Sequence, residues 1–158
     1  MYVLDTNVIS ELRHGKPNQS AEVRVWAADK PASHLYISAI SILELEKGVL
    51  ALERGTPPQG SALRVWLNGV KANFAGRILP FSENTATLCA ALHVPDPKSE
   101  RDAMIAATAL EHGMTVVTRN VADFVGTGAK LVDPFAIANP ETAAKLAGLR
   151  ASLRRVKG

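Results

Sequence analysis

What most restricts this chain is an alternation: short apolar runs recur along it, each followed by stretches with helical periodicity. The runs are Tyr2-Val3-Leu4, His34-Leu35-Tyr36-Ile37, Arg77-Ile78-Leu79-Pro80-Phe81, T-V-V-T at residues 115–118, and Lys130-Leu131-Val132-Asp133. Runs this short and apolar fit strands buried on both faces, and strands joined by helical crossovers pair in parallel. The expected class is therefore α/β, a five-stranded parallel sheet flanked by helices. Pro80 offers no N–H, which places the run at 77–81 on a sheet edge.

Between the runs, helices are expected from Val8 to Leu12, over 21–29, from just after Ser41 to about residue 53, over 62–75, from Ser82 to His93 and over 101–112. Leu63, Trp66, Leu67, Val70 and Phe74 recur at helical spacing, and Trp26 sits in an amphipathic stretch, so both point to packing. Pro57-Pro58 and Gly60 predict a loop, and the helices on either side of it form a hairpin. His112, beside Gly113, is placed as a cation at a helix C-terminus. An extra helix follows Pro140, carrying Lys145, Arg150, Arg154, Arg155 and Lys157. These boundaries divide the chain into a domain over 1–135 and a basic helical extension over 136–158. Arg150, Arg154 and Lys157 could track a nucleic-acid backbone, or could simply be a solvated chain end.

At 158 residues the chain holds one core of ordinary size, and a second full domain does not fit. Its net charge of +3 permits a polyanionic partner without requiring one. The lone Cys89 lies in an apolar helical context and cannot form an internal disulfide, so a buried thiol in a reducing compartment is expected. The N-terminus lacks a basic stretch and reaches Asp5 at once, unlike a secretory signal. The longest apolar stretch, 37–52, contains Glu44, Glu46 and Lys47 and falls short of the ~20 apolar residues needed to span a bilayer. A cytoplasmic protein with no membrane partner is expected. The four histidines are scattered, and neither G-x-S-x-G nor G-x-x-x-x-G-K-[ST] occurs, which removes zinc sites, serine hydrolases and P-loop NTPases. A phosphatase with an aspartyl nucleophile would want a second Asp where Asn7 stands.

Three acids stand at helix starts: Asp5 after the first run, Glu44 three residues after Ser41, and Asp102 three residues after Ser99. Each has a capping reading, Asp5 as an N-cap and the other two as partners in S-x-x-E and S-x-x-D capping boxes. Helices that follow parallel strands, however, begin at the carboxyl edge of the sheet, where ligands of open α/β folds bind. Asn120 and Asp123, just past the run at 115–118, fall at the same edge. Carboxylates gathered there repel one another unless a cation sits among them, and oxygen ligands select a hard ion such as Mg²⁺ or Mn²⁺. Such an ion beside basic surface suits phosphodiester hydrolysis.

Four pieces stand in order along the chain: Y-V-L-D-T-N-V-I-S-E-L at 2–12, S-A-I-S-I-L-E-L-E-K-G at 38–48, G-R-I-L-P-F at 76–81, and the block at 101–124. Through them the sequence resembles the PIN-domain ribonucleases, specifically the VapC-type toxins of bacterial toxin–antitoxin pairs, close to the FitB-like branch. The resemblance implies a five-stranded parallel sheet and a Mg²⁺- or Mn²⁺-dependent endoribonuclease that hydrolyses RNA with a metal-activated water. It implies Asp5, Glu44 and Asp102 as the metal-holding acids, with Thr6 and Thr118 flanking the site. It also implies a homodimer and a cognate antitoxin that blocks the site. One position departs from the pattern: Asn120 stands where a fourth acid is common, and Asp123 follows three residues later. Asn120 and Asp123 are therefore expected to support the metal or orient water, with the number of metal ions left open. The competing reading is a non-catalytic RNA- or protein-binding module that retains the fold.

Overall fold

The computed structural model describes residues 1–136. In chain order it contains β1 (Tyr2–Leu4), α1 (Thr6–Glu11), α2 (Ala21–Ala28), a 3₁₀ turn (Ala32–His34), β2 (Leu35–Ser38), α3 (Ala39–Gly55) and α4 (Pro57–Asn73). There follow β3 (Ile78–Leu79), α5 (Glu83–Leu92), α6 (Glu100–Glu111), β4 (Thr115–Val117), α7 (Val121–Phe124) and β5 (Lys130–Val132). The helix expected after Pro140 lies outside the described residues.

All five strands pair in parallel, in the order β3-β2-β1-β4-β5. Tyr2 is opposite Leu35 on one side and Thr115 on the other, so β1 is central and the winding direction reverses between β1 and β4. Such a reversal opens a crevice outside the carboxyl ends of the two strands. Asp5 and Thr118 are the first residues past those ends, and Asp5 N–H still bonds to Val117 O at 2.9 Å.

Period-2 alternation splits the core between the two faces of the sheet. Leu4, Ile37 and Val117 pack on one side with Val8, Trp26, Val49 and Leu67. Val3 and Val116 pack on the other with Ile105, Ala106, Ala109 and Phe124. Trp26 takes the core position expected of it, edge-on to Tyr2 with ring centroids 5.3 Å apart. Cys89 is buried and free, and His112 closes α6 with its Nδ1 2.9 Å from Thr108 O. Among the described residues no helix is long and apolar enough to cross a membrane.

Three of the differences from the expected boundaries have an evident physical reason. The long helix starts at Ala39, because Ser38 rather than Ser41 is its N-cap and accepts from Ser41 N–H at 2.9 Å. Glu44 therefore lies in the second turn, and no Ser41/Glu44 capping box forms. Pro57-Pro58 is not a loop: the two prolines form the first turn of α4, where a missing N–H costs nothing. The hairpin thus turns at Thr56 alone, and it is fastened by Arg64, which bonds to Glu53 at 2.9 and 3.0 Å and to Glu46 at 2.6 Å. Finally, β3 is only Ile78–Leu79, since Pro80 stops the ladder at once, on an edge as expected.

The tight turn makes Gly60 irreplaceable. A Cβ there would lie 2.4 Å from Glu53 N, a backbone atom that cannot swing aside. Gly60→Ala is expected to cost about 1–3 kcal/mol, as overpacking does. Thermal denaturation of the variant checks this, and an unchanged Tm would show that the hairpin can open without loss.

Candidate active site

The crevice between β1 and β4 is built around Asp5. Its side chain is only 5 % exposed, and both of its oxygens are occupied. Oδ1 accepts from Thr6 N–H at 2.7 Å, capping α1; Oδ2 accepts from Asn7 Nδ2 and Thr118 Oγ1, each at 2.7 Å. Capping and site membership are thus not alternatives for Asp5, because one oxygen serves the helix and the other faces its neighbours.

Burial pushes the Asp5 pKa up. The hydrogen bonds from Thr118 and Thr6 act against that, and the negative charges of Asp102 and Glu44 add to the rise. Those two carboxylates therefore share a corner with Asp5, although 39 and 97 residues separate them from it in sequence.

Glu44 is largely covered and uses both oxygens: Oε2 accepts from the Thr6 hydroxyl, and Oε1 lies 3.2 Å from Arg101 Nη1. Asp102 stands in the first turn of α6. Ser99 is the N-cap residue of that helix but its hydroxyl makes no capping bond, so the expected Ser99/Asp102 capping box does not form.

The other two candidates lie further out. Asn120 is exposed, and its N–H donates to Thr118 Oγ1 at 3.0 Å, which ties its backbone to the Asp5 network. Asp123 is exposed in the first turn of the four-residue helix α7. Glu44 and Asp102 lie near enough to Asp5 for their charges to act on it.

Asn7, readable from sequence as a simple helix starter, does more. It donates to Asp5 Oδ2, lies 3.3 Å from Thr118 Oγ1, and accepts from Arg119 N–H at 3.2 Å through Oδ1. Glu11 is not among the residues the sequence motifs single out, yet it is 2 % exposed, bonded to Lys16 and Ser20 N–H, and 3.8 Å from Arg119. The signal was present: Glu11 follows Val8 by three residues on the buried stripe of α1, where a charge is out of place. Arg119 stacks over the Phe135 ring, 3.9 Å from its centroid, at the edge of the crevice.

The sequence profile of the PIN domain matches residues 2–125. The chain belongs to the PIN-domain family. It is 34% identical over 144 residues to VapC ribonuclease Y4jK of Sinorhizobium fredii, a match covering 85% of this chain and 98% of the relative. It is also 34% identical over 140 residues to toxin FitB of Neisseria gonorrhoeae, covering 85% and 99% respectively. Among solved structures, FitAcB from Neisseria gonorrhoeae superposes with a TM-score of 0.77 at 34% identity, covering 87% of this chain and 100% of the other. Both relatives are matched almost end to end.

Nothing in the chemistry of the corner conflicts with a divalent ion. The donors are carboxylate oxygens; burial first, and then the charges of Asp102 and Glu44, raise Asp5, and a hard cation would relieve that repulsion. Among the described residues, as the side chains lie, no group of three or more acidic, histidine or cysteine side chains is placed to hold a metal ion. Side-chain movement is needed to complete such a group, since Glu44 is held by Thr6 and Arg101 and Asp5 by Thr6, Asn7 and Thr118.

Proposed function

We propose that this PIN-domain protein is a Mg²⁺- or Mn²⁺-dependent endoribonuclease, the toxin of a toxin–antitoxin pair, acting as a homodimer in the cytoplasm. One observation carries the reading: a buried carboxylate at the switch point of a parallel sheet, fixed by three donors, with two further carboxylates beside it. Asp5, Glu44 and Asp102 would hold the ion. A divalent ion bound there supplies Lewis acidity for activating water and offsets charge on the phosphate.

The remaining work falls to this chain's own groups. Thr118 and Asn7 keep Asp5 Oδ2 in one orientation, and Thr6 positions Glu44. Asn120, anchored through Thr118, offers a neutral carbonyl at the mouth of the crevice, and Asp123 lies one helical turn further out. The antitoxin partner is supported by relatives named as VapC ribonuclease and toxin FitB, and by the likeness to the FitAcB structure. An apolar groove of about 910 Å³ lined by Leu12, Leu63, Trp66, Val70 and Phe74 is the kind of surface on which an apolar segment of such a partner would dock.

Incubating the purified protein with structured RNA and Mg²⁺ is expected to give discrete cleavage products that vanish in EDTA and return on adding excess metal. Retention of RNA without cleavage under any divalent ion would favour a binding module instead.

A further inference from the structure

The charges of Glu44 and Asp102 act on Asp5, and the structure sets one cation against Glu44. Arg101 precedes Asp102 at the head of α6 and places Nη1 3.2 Å from Glu44 Oε1. Among the described residues no other basic side chain lies within ion-pair distance of these three acids. The Arg101 side chain is 60 % exposed whereas that of Glu44 is 18 % exposed, so the guanidinium covers the carboxylate from the solvent side.

We propose that Arg101 is a built-in counter-ion that holds Glu44 until a divalent ion takes that carboxylate, and that the released guanidinium then binds an RNA phosphate at the mouth of the site. The proposal rests on the metal-dependent reading above. Three physical points support it. A pair this exposed is weak, so it blunts the charge of the metal-free corner without closing it to a divalent ion. Arg101 is covalently next to Asp102, so on release its side chain stays within reach of the same crevice. Its planar fork of donors matches a phosphate better than a lysine ammonium does.

The two halves of the role have opposite signs, which separates them from a merely structural one. With the full chain, calorimetric titration of metal-free Arg101→Gln is expected to show Mn²⁺ binding about two- to fivefold tighter than wild type, the worth of one exposed ion pair. In steady-state cleavage the same variant is expected to show a raised KM for single-stranded RNA. The salt slope of log(kcat/KM) should fall by about 0.7, the value for one phosphate contact on a single strand. Arg101→Lys should lie between the two proteins on both scales. Unchanged Mn²⁺ affinity in Arg101→Gln, or Mn²⁺ and RNA affinity falling together, overturns the proposal. Glu44→Gln separates this failure from a deeper one. If it loses Mn²⁺ while Arg101→Gln leaves Mn²⁺ unchanged, only the counter-ion role falls; if wild type takes up no Mn²⁺, the metal-dependent reading falls with it.

Discussion

Asp102→Asn is expected to lower metal-dependent RNA cleavage by on the order of 10³-fold, equivalent to about 4 kcal/mol of barrier, with the Tm of the metal-free protein staying within about 3 °C of wild type. The substitution keeps shape and removes one charge. Two small effects on stability then oppose each other. An acid in the first turn of α6 gains about 0.3–1 kcal/mol from the helix dipole, and that is lost. Against it, Asp102 is one of the two charges that raise Asp5, and that repulsion is relieved.

Linkage gives the same pair of proteins a pH signature. Because the folded Asp5 pKa lies above its unfolded value near 3.9, folded protein holds that proton to higher pH than unfolded chain does. Stability from this group is therefore lost as pH rises from about 4 through the folded pKa, and the loss should shrink in Asp102→Asn. A cleavage assay in Mg²⁺ and melting curves in EDTA across pH 4–8 provide both readouts. Substantial residual cleavage would remove Asp102 from the metal site, and a large fall in Tm would mean that it is chiefly structural.

How far the site could be read from sequence depended on how local each residue's partners are. The strand Tyr2–Leu4 and the helix start at Asp5 were legible because an apolar run, an N-cap and a helical stripe lie within a dozen residues. The start of α3 falls three residues earlier than the sequence suggests because Ser38 and Ser41 are equally good N-caps. Only the end of β2 at the sheet edge decides between them, and that choice removes Glu44 from a capping box. Pro57-Pro58 was ambiguous in the same way, since proline opens a helix as readily as it forms a loop. Asn7 could not be resolved locally: its partner Thr118 lies 111 residues away, and only the adjacency of β1 and β4 brings them together. The pairing of Arg101 with Glu44 was hidden for the same reason, since nothing in an R-D pair specifies which distant acid the arginine meets.

Glu11→Ala is expected to give the largest loss of stability, about 2–4 kcal/mol, or roughly 4–16 °C in Tm. Burial alone would raise the Glu11 pKa, but hydrogen bonds from Lys16 and Ser20 N–H, with the charges of Lys16 and Arg119, outweigh it and hold the carboxyl below its usual range. Removing the carboxylate leaves Ser20 N–H without its acceptor and unties the segment between α1 and α2. Lys16 is one-third exposed and can turn to water, which keeps the loss below that of a fully buried pair. The depressed pKa sets the pH dependence. The unfolded chain takes up a proton near pH 4.3 whereas the folded protein does so lower, so the contribution is complete above that pH and is lost as pH falls through the folded value. Glu11→Gln should therefore melt well below wild type at pH 7 and approach it as pH falls below about 4. Parallel melting curves across that range would mean that Glu11 contributes through packing rather than through its charge. Because Glu11 also faces Arg119 at 3.8 Å, cleavage measured well below the Tm of Glu11→Gln will show whether holding that arginine at the crevice edge matters to the reaction.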